Sequence, residues 1–173
     1  AALRRQTDHF FRSLHAAKTA HYVQLVGAGR LPLRPGVARL IAAARAAGLR
    51  LAIATTTTPE NVAALLRASL GPESPDWFEV IGAGDVVPAK KPAPDIYLWV
   101  LERLKLPAAA CLALEDSANG LKASLAAGIP TLVTESEYTR GQDFAGALAV
   151  LPDLAETTLA DVQASFNKTL SMT

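Results

Sequence analysis

The tightest constraint on what this chain can fold into is its repeated switch between short apolar runs and amphipathic stretches. Leu51-Ala52-Ile53-Ala54, Val80-Ile81, Leu112-Ala113-Leu114 and Thr131-Leu132-Val133 each suit a buried strand. Segments of helical periodicity separate them. Pro35 at N1 is expected to open a helix with Val37, Leu40, Ile41 and Ala44 on its apolar face and Gly48 at C′. Pro59 opens a second, carrying Val62, Leu65, Leu66 and Ser69 on one face. Ile96, Val100, Leu101 and Leu104 mark a third that Pro107 stops, residues 117–127 a fourth ended by Gly128, and residues 158–167 a last one. Upstream, residues 8–26 read as one amphipathic helix with Thr7 or Asp8 as N-cap, ending at Gly27-Ala28-Gly29. Alternation of this kind implies βαβ units: an α/β fold with a Rossmann-like parallel sheet and flanking helices. Ligands of such sheets collect at the carboxyl ends of the strands.

Three polar clusters stand at those ends. Thr55-Thr56-Thr57-Thr58 enters the helix at Pro59, so hydroxyls and helix N–H groups could hold an anion there; the plainer reading is a capping turn. Lys90-Lys91-Pro92-Ala93-Pro94-Asp95 carries a lysine on a loop stiffened by two prolines, where Asp95 could cap the next helix. Judged alone, it reads equally as a solvated lysine pair before a capped helix. Glu115-Asp116-Ser117 places adjacent carboxylates after a buried run, a repulsion that a hard divalent cation such as Mg²⁺ would relieve. Together the clusters read as a phosphate-handling site with Mg²⁺.

Composition removes competing classes. With 17 basic and 16 acidic side chains in 173 residues, net charge +1, the chain has no electrostatic footprint for nucleic acid or an anionic membrane surface. No apolar run approaches the roughly 18 residues of a membrane span, and the N-terminus does not read as a signal peptide. Cys111, the single cysteine, reads as a small core residue in a buried strand. No GxGxxG follows a strand, which argues against a dinucleotide-binding domain. The expectation is a cytoplasmic monomer acting on a small molecule.

In order, TTTT, KKPAPDIY and LALEDSANG resemble motifs two, three and four of the haloacid dehalogenase superfamily. The KPxPDxY and EDSxxG forms are those of its branch containing β-phosphoglucomutase and CbbY, and the likeness runs from about residue 14 to 152. HAAKTAHY, VGAGRLPLRPG and LAIATTTTPEN are more similar to the CbbY side of that branch, whose members act on xylulose-1,5-bisphosphate beside the Calvin cycle. The resemblance implies that Thr55 and Lys91 contact the transferring phosphoryl group, Thr55 helped by the backbone N–H of Thr56. It implies that Asp116 and Glu115 hold Mg²⁺, and that Lys18, Thr56, Thr57, Thr58 and Asn61 bind substrate or its second phosphate. The family mechanism runs through an aspartyl-phosphate.

The family's DxDGT motif, which supplies that nucleophile and the general acid, has no counterpart here. The chain opens on Ala1, and the resemblance implies an incomplete core: residues 1–29 as the end of a helical cap plus linker, 30–155 as the core without its first strand, and 156–173 as a C-terminal helix and tail. That strand would lie between those ending at Thr55 and Glu115, and without it the chain is expected to be inactive. A phosphomutase and a noncatalytic phosphate-binding relative are the alternatives.

Overall fold

The computed structural model describes residues 2–28 and 31–170. The first helix, α1 (Ala2–Gly27), starts well before the expected cap, so Thr7 and Asp8 lie inside it and do not begin it; Gly29, expected at its end, lies outside the described residues. The next, α2 (Val37–Ala46), begins two residues after Pro35. The Pro35 carbonyl accepts from Leu154 N–H at 3.2 Å, and Gly36 then turns at φ 80° as the N-cap. A Cβ on Gly36 would lie 1.8 Å from Leu154 O, so only glycine admits this approach. Gly48 follows α2 at φ 71°, where it was expected.

Five short strands come next in the alternation: β1 (Ala52–Ala54), β2 (Val80–Gly82), β3 (Ala113–Glu115), β4 (Thr131–Thr134) and β5 (Ala149–Leu151). The helices between and after them are α3 (Pro59–Leu70), α4 (Asp95–Leu104), α5 (Ala118–Ala126) and α6 (Leu159–Leu170). Thr58 caps α3 and Ser117 caps α5 through their hydroxyls. Asp95 does not cap α4: Pro94 holds that position and Asp95 is the first helical residue. The end of α4 is set by Lys105 in the left-handed conformation, two residues before Pro107. Cys111 precedes β3 and is half-buried, so the expected strand core position is filled by Ala113 instead.

All pairings are parallel, but the strands form two sheets among the described residues. One has β1 beside β2, in register Ile53 to Ile81; the other runs β3-β4-β5, with Leu114 opposite Leu132 and Val133 opposite Val150. No pairing joins β1 to β3. Between them lies a cavity of about 990 Å³ lined by Ala52, Ile53, Ala113, Leu114 and, from the flanking helices, Tyr97 and Val162. The strands record the consequence: Leu132 on β4, paired on both sides, is 1% exposed, whereas Leu114 on β3 is 46% exposed.

Helices hold the two sheets together. On one face α4 packs on β1 and β2 and against α5, and Ile96, Tyr97, Leu101, Ala113, Ala123 and Ile129 form one apolar cluster. On the other, Leu40 of α2, Leu132, Leu154 and Val162 of α6 form another, so the last helix packs against the sheet. Burying a leucine or valine of this kind contributes roughly 1.5–3 kcal/mol. Helix α1 rests on α3. No described helix is long and apolar enough to cross a membrane.

Candidate functional site

The carboxyl ends of β1 and β3 open on a cavity of about 410 Å³ whose wall includes Arg34, Thr55, Lys91, Glu115, Asp116 and Thr134. Three of the four residues at its centre arrive from strand ends. Thr55 follows β1, Glu115 closes β3 and Asp116 follows it. Lys91 comes from the proline-stiffened loop after β2, where the Lys91-Pro92 peptide is cis.

Lys91 is held, not solvated. Its Nζ donates to Glu115 Oε1 at 2.5 Å and to Ala54 O at 3.0 Å, and the paired side chains are 15% and 6% exposed. An ammonium group has three protons, so these bonds leave one donor for a ligand. Neighbouring Lys90 behaves differently, donating to Asp85 Oδ1 at 2.6 Å and to Gly84 O in an exposed pair. Of the two lysines, Lys91 alone faces the cavity.

The structure corrects the electrostatic argument made for the acid pair. Glu115 and Asp116 do not share an uncompensated charge: Glu115 is buried against Lys91, with Tyr97 also donating to its Oε1, while Asp116 is exposed at the cavity. Strand alternation sends the two side chains to different surroundings. The fit to Mg²⁺ therefore rests on the donor set. It comprises hard carboxylate oxygens on adjacent residues at a cavity that also presents a lysine and a hydroxyl, and Mg²⁺ is commonly held by one or two carboxylates plus waters and substrate phosphate. No group of three or more potential metal ligands occurs among the described residues.

Of the four threonines from Thr55 to Thr58, only Thr55 reaches the cavity wall. Its Oγ1 accepts from Thr57 N–H at 3.2 Å, which curls the turn back on itself. Thr56 is exposed on that turn. Thr57 Oγ1 accepts from Asn61 Nδ2 at 3.4 Å, and the Thr57 carbonyl accepts from Gly84 N–H at 2.6 Å. Thr58 is the helix cap, accepting from Asn61 N–H at 3.4 Å, so the plainer reading holds for that residue. Asn61 is buried and its Oδ1 has no hydrogen-bond partner. Lys18 is exposed on α1, outside the residues lining the cavity.

Three contributors lay beyond the sequence reading. Arg34 donates through Nη1 to Thr134 O at 2.8 Å and Thr134 Oγ1 at 3.0 Å, and through Nη2 to Glu135 O at 2.6 Å and Pro152 O at 2.8 Å. It thereby ties the segment before α2 to the carboxyl ends of β4 and β5. Gly120 is needed because a Cβ there would lie 1.8 Å from Glu115 Oε2. Tyr97 is buried on α4; burial first, then the Glu115 charge beside it, hold its phenol well above the ordinary tyrosine range, so it stays a donor. The sequence signal for Tyr97 was its place at the end of KKPAPDIY; for Gly120, its place in EDSANG.

Known proteins resemble this chain over most of its length. Residues 2–128 match the model of the haloacid dehalogenase-like hydrolases. A CbbY protein of Cupriavidus necator is 58% identical over 144 residues, which is 83% of this chain and 57% of that protein. A CbbY of Rhodobacter capsulatus is 54% identical over 149 residues, 86% of this chain and 66% of the relative. The chain thus spans about three-fifths of the length of these curated relatives. The crystal structure of CbbY from Rhodobacter sphaeroides in complex with phosphate superposes with a TM-score of 0.84 at 48% identity, covering 88% of this chain and 68% of the other. A variant of that protein solved with xylulose-(1,5)-bisphosphate gives a TM-score of 0.83, covering 87% and 67%.

Proposed function

This chain belongs to the haloacid dehalogenase-like hydrolase family, and from that premise we propose that the protein is a Mg²⁺-dependent phosphatase of a sugar bisphosphate resembling xylulose-1,5-bisphosphate. The observation that carries the proposal is the convergence of Thr55, Lys91, Glu115 and Asp116 on one cavity at the carboxyl ends of β1 and β3. In this reading Thr55 Oγ1 and the remaining Lys91 N–H hold the phosphoryl oxygens, and Lys91 offsets charge that builds on them. Asp116 and Glu115 would hold Mg²⁺, which when bound supplies Lewis-acid stabilisation of the phosphoryl group. Asn61, with its buried Oδ1 lacking a partner, stands at the N-terminus of α3 beside Thr56 and Thr57, and Thr58 caps that helix. That helix start and Lys18 are the proposed contacts for the rest of the substrate.

The phosphoryl acceptor in this reading is an aspartate on a strand seated between β1 and β3, with water then hydrolysing the aspartyl-phosphate. Two features support the placement: the apolar 990 Å³ cavity between two unpaired parallel edges, and the 46% exposure of Leu114 on one of them. Residues 30–155 are then the core around that strand, residues 1–29 the end of a cap with its linker, and residues 156–173 a helical tail. By themselves these 173 residues should not turn over substrate. The whole protein is read as a cytoplasmic monomer repairing a sugar bisphosphate beside carbon fixation.

The test is to assay the complete protein, with the aspartate-bearing strand included, with Mg²⁺ on xylulose-1,5-bisphosphate and on β-glucose-1-phosphate. Released phosphate from the first, without isomerised sugar phosphate from the second, is expected. Isomerisation would identify a phosphomutase. No turnover of either, with the protein folded, would leave a phosphate-binding relative.

A further inference from the structure

A lysine side chain has four rotatable bonds, and a catalytic ammonium must be held in one place. The fixed contacts of Lys91 are Ala54 O at 3.0 Å, a carbonyl on β1, and Glu115 Oε1 at 2.5 Å. The carboxylate cannot act as a fixed point unless it is itself immobile. On one side Glu115 is bounded by Gly120, too close to Oε2 for any Cβ. On the other, Tyr97 OH donates to the same Oε1 that receives Lys91. The face of the Tyr97 ring meanwhile lies 5.0 Å from Lys91 Nζ, within cation–π range.

Tyr97 therefore touches both members of the ion pair, one with its hydroxyl and one with its ring. Its own position is well determined. It is 7% exposed, on the first turn of α4, with its N–H donating to Pro94 O at 2.9 Å. It also packs in the apolar cluster with Ile96, Leu101 and Ala113. Because α4 packs on β1 and β2 while Glu115 ends β3, the hydroxyl bridges the two halves of the molecule. Any buried phenol needs an acceptor; here the acceptor is the carboxylate oxygen that also holds Lys91.

We propose that Tyr97 is a positioning residue of this site, fixing Glu115 Oε1 with its hydroxyl and Lys91 with its ring so that the remaining ammonium donor meets the phosphoryl oxygens. The inference rests on the phosphatase reading for its kinetic consequence but not for its structural one. Loss of a residue that orients a charged group through a hydrogen bond costs about 10–100-fold in activity.

The experiment uses the complete protein, with the aspartate-bearing strand included, and the variants Tyr97→Phe and Tyr97→Leu. Phenylalanine keeps the ring and the packing and removes only the hydroxyl. Its kcat on xylulose-1,5-bisphosphate should fall about tenfold with KM within about twofold, and leucine should lose about 100-fold. Proton exchange at the Lys91 ammonium, read by ¹⁵N–¹H NMR and assigned by its disappearance in Lys91→Arg, should quicken about fivefold in Tyr97→Phe as one restraint on its partner is lost. If Tyr97→Phe fails to fold, Tyr97→Leu takes its place in the same exchange measurement, and an unchanged rate there overturns the proposal. Wild-type kcat in Tyr97→Phe, or a kcat loss with unchanged ammonium exchange, overturns the proposal. If the wild type releases no phosphate, the phosphatase reading fails separately, and the exchange rate still decides whether Tyr97 holds the pair.

Discussion

Two ion pairs stand at opposite ends of the strands and share a closest approach of 2.5 Å. At the amino ends of β1 and β2, Arg50 donates through Nε and Nη2 to both oxygens of Glu79, and Nη2 also reaches Leu104 O. At the carboxyl ends, Lys91 meets Glu115. The first pair is 42% and 47% exposed, joins two strands that are already hydrogen-bonded, and uses a bidentate fork. The second is 15% and 6% exposed, joins two sheets that share no strand pairing, and leaves a lysine proton uncommitted. Equal length therefore says little about role. What differs is surroundings: solvent screens the Arg50 pair, while burial makes each member of the Lys91 pair dependent on the other.

The largest expected effect follows from breaking the buried pair. Lys91→Met should leave Glu115 with Tyr97 but no cation, lowering stability by about 3 kcal/mol in a urea titration and kcat by at least about 10²-fold. A loss no greater than that of Arg50→Ala would remove the distinction between the two ends. Next in size is Gly120→Ala. The new methyl would displace the Glu115 carboxylate, at a stability cost of about 1–3 kcal/mol and with loss of phosphate release. Gly48, near the amino end of β1, offers the control, since a Cβ there meets nothing within 4 Å and only its φ of 71° matters. Gly48→Asn, with a residue that tolerates that conformation, should melt within about 2 °C of wild type and keep full turnover.

The same contrast explains what the sequence could disclose. Helix faces were readable because Val62 and Leu66, or Ile96, Val100 and Leu104, recur at helical spacing and are buried. Strand ends drew attention to Thr55, Lys91, Glu115 and Asp116, all of which line one cavity. What stayed hidden depends on distance across the chain. The Arg34 clamp spans about a hundred residues to Thr134, and the Tyr97 hydroxyl spans eighteen to Glu115. Periodicity marks Tyr97 as a core position and cannot tell whether its hydroxyl is used. Of the expected caps, Asp95 yields to Pro94, while Thr58 caps α3 as the plainer reading of the threonine run has it. β5 was not expected, because Ala149-Val150-Leu151 is short and lies at the edge of its sheet. The division into two sheets left no local trace, since Leu114 and Leu132 look alike in sequence and differ only in how many strands flank them.

The smallest effect is expected at the exposed pair, and pH separates it from the buried one. The hydrogen bond from Arg50 holds the Glu79 carboxyl below its ordinary value of 4.5; burial opposes it, and the guanidinium charge adds a lesser lowering. A depressed folded value means that this contribution is present above the unfolded pKa and is lost as pH falls through the folded one. Arg50→Ala should therefore lower the melting temperature slightly at pH 7, and the difference should close as pH falls from the ordinary value of 4.5 through the lower folded one, where Glu79 takes up its proton. Turnover at neutral pH should not change, because the pair stands at the end of the strands away from the cavity. A gap that stays the same at low pH would mean that Arg50 acts mainly through Leu104 O, a partner that does not titrate. The exposed pair would then be a helix-to-strand clip whose carboxylate is incidental.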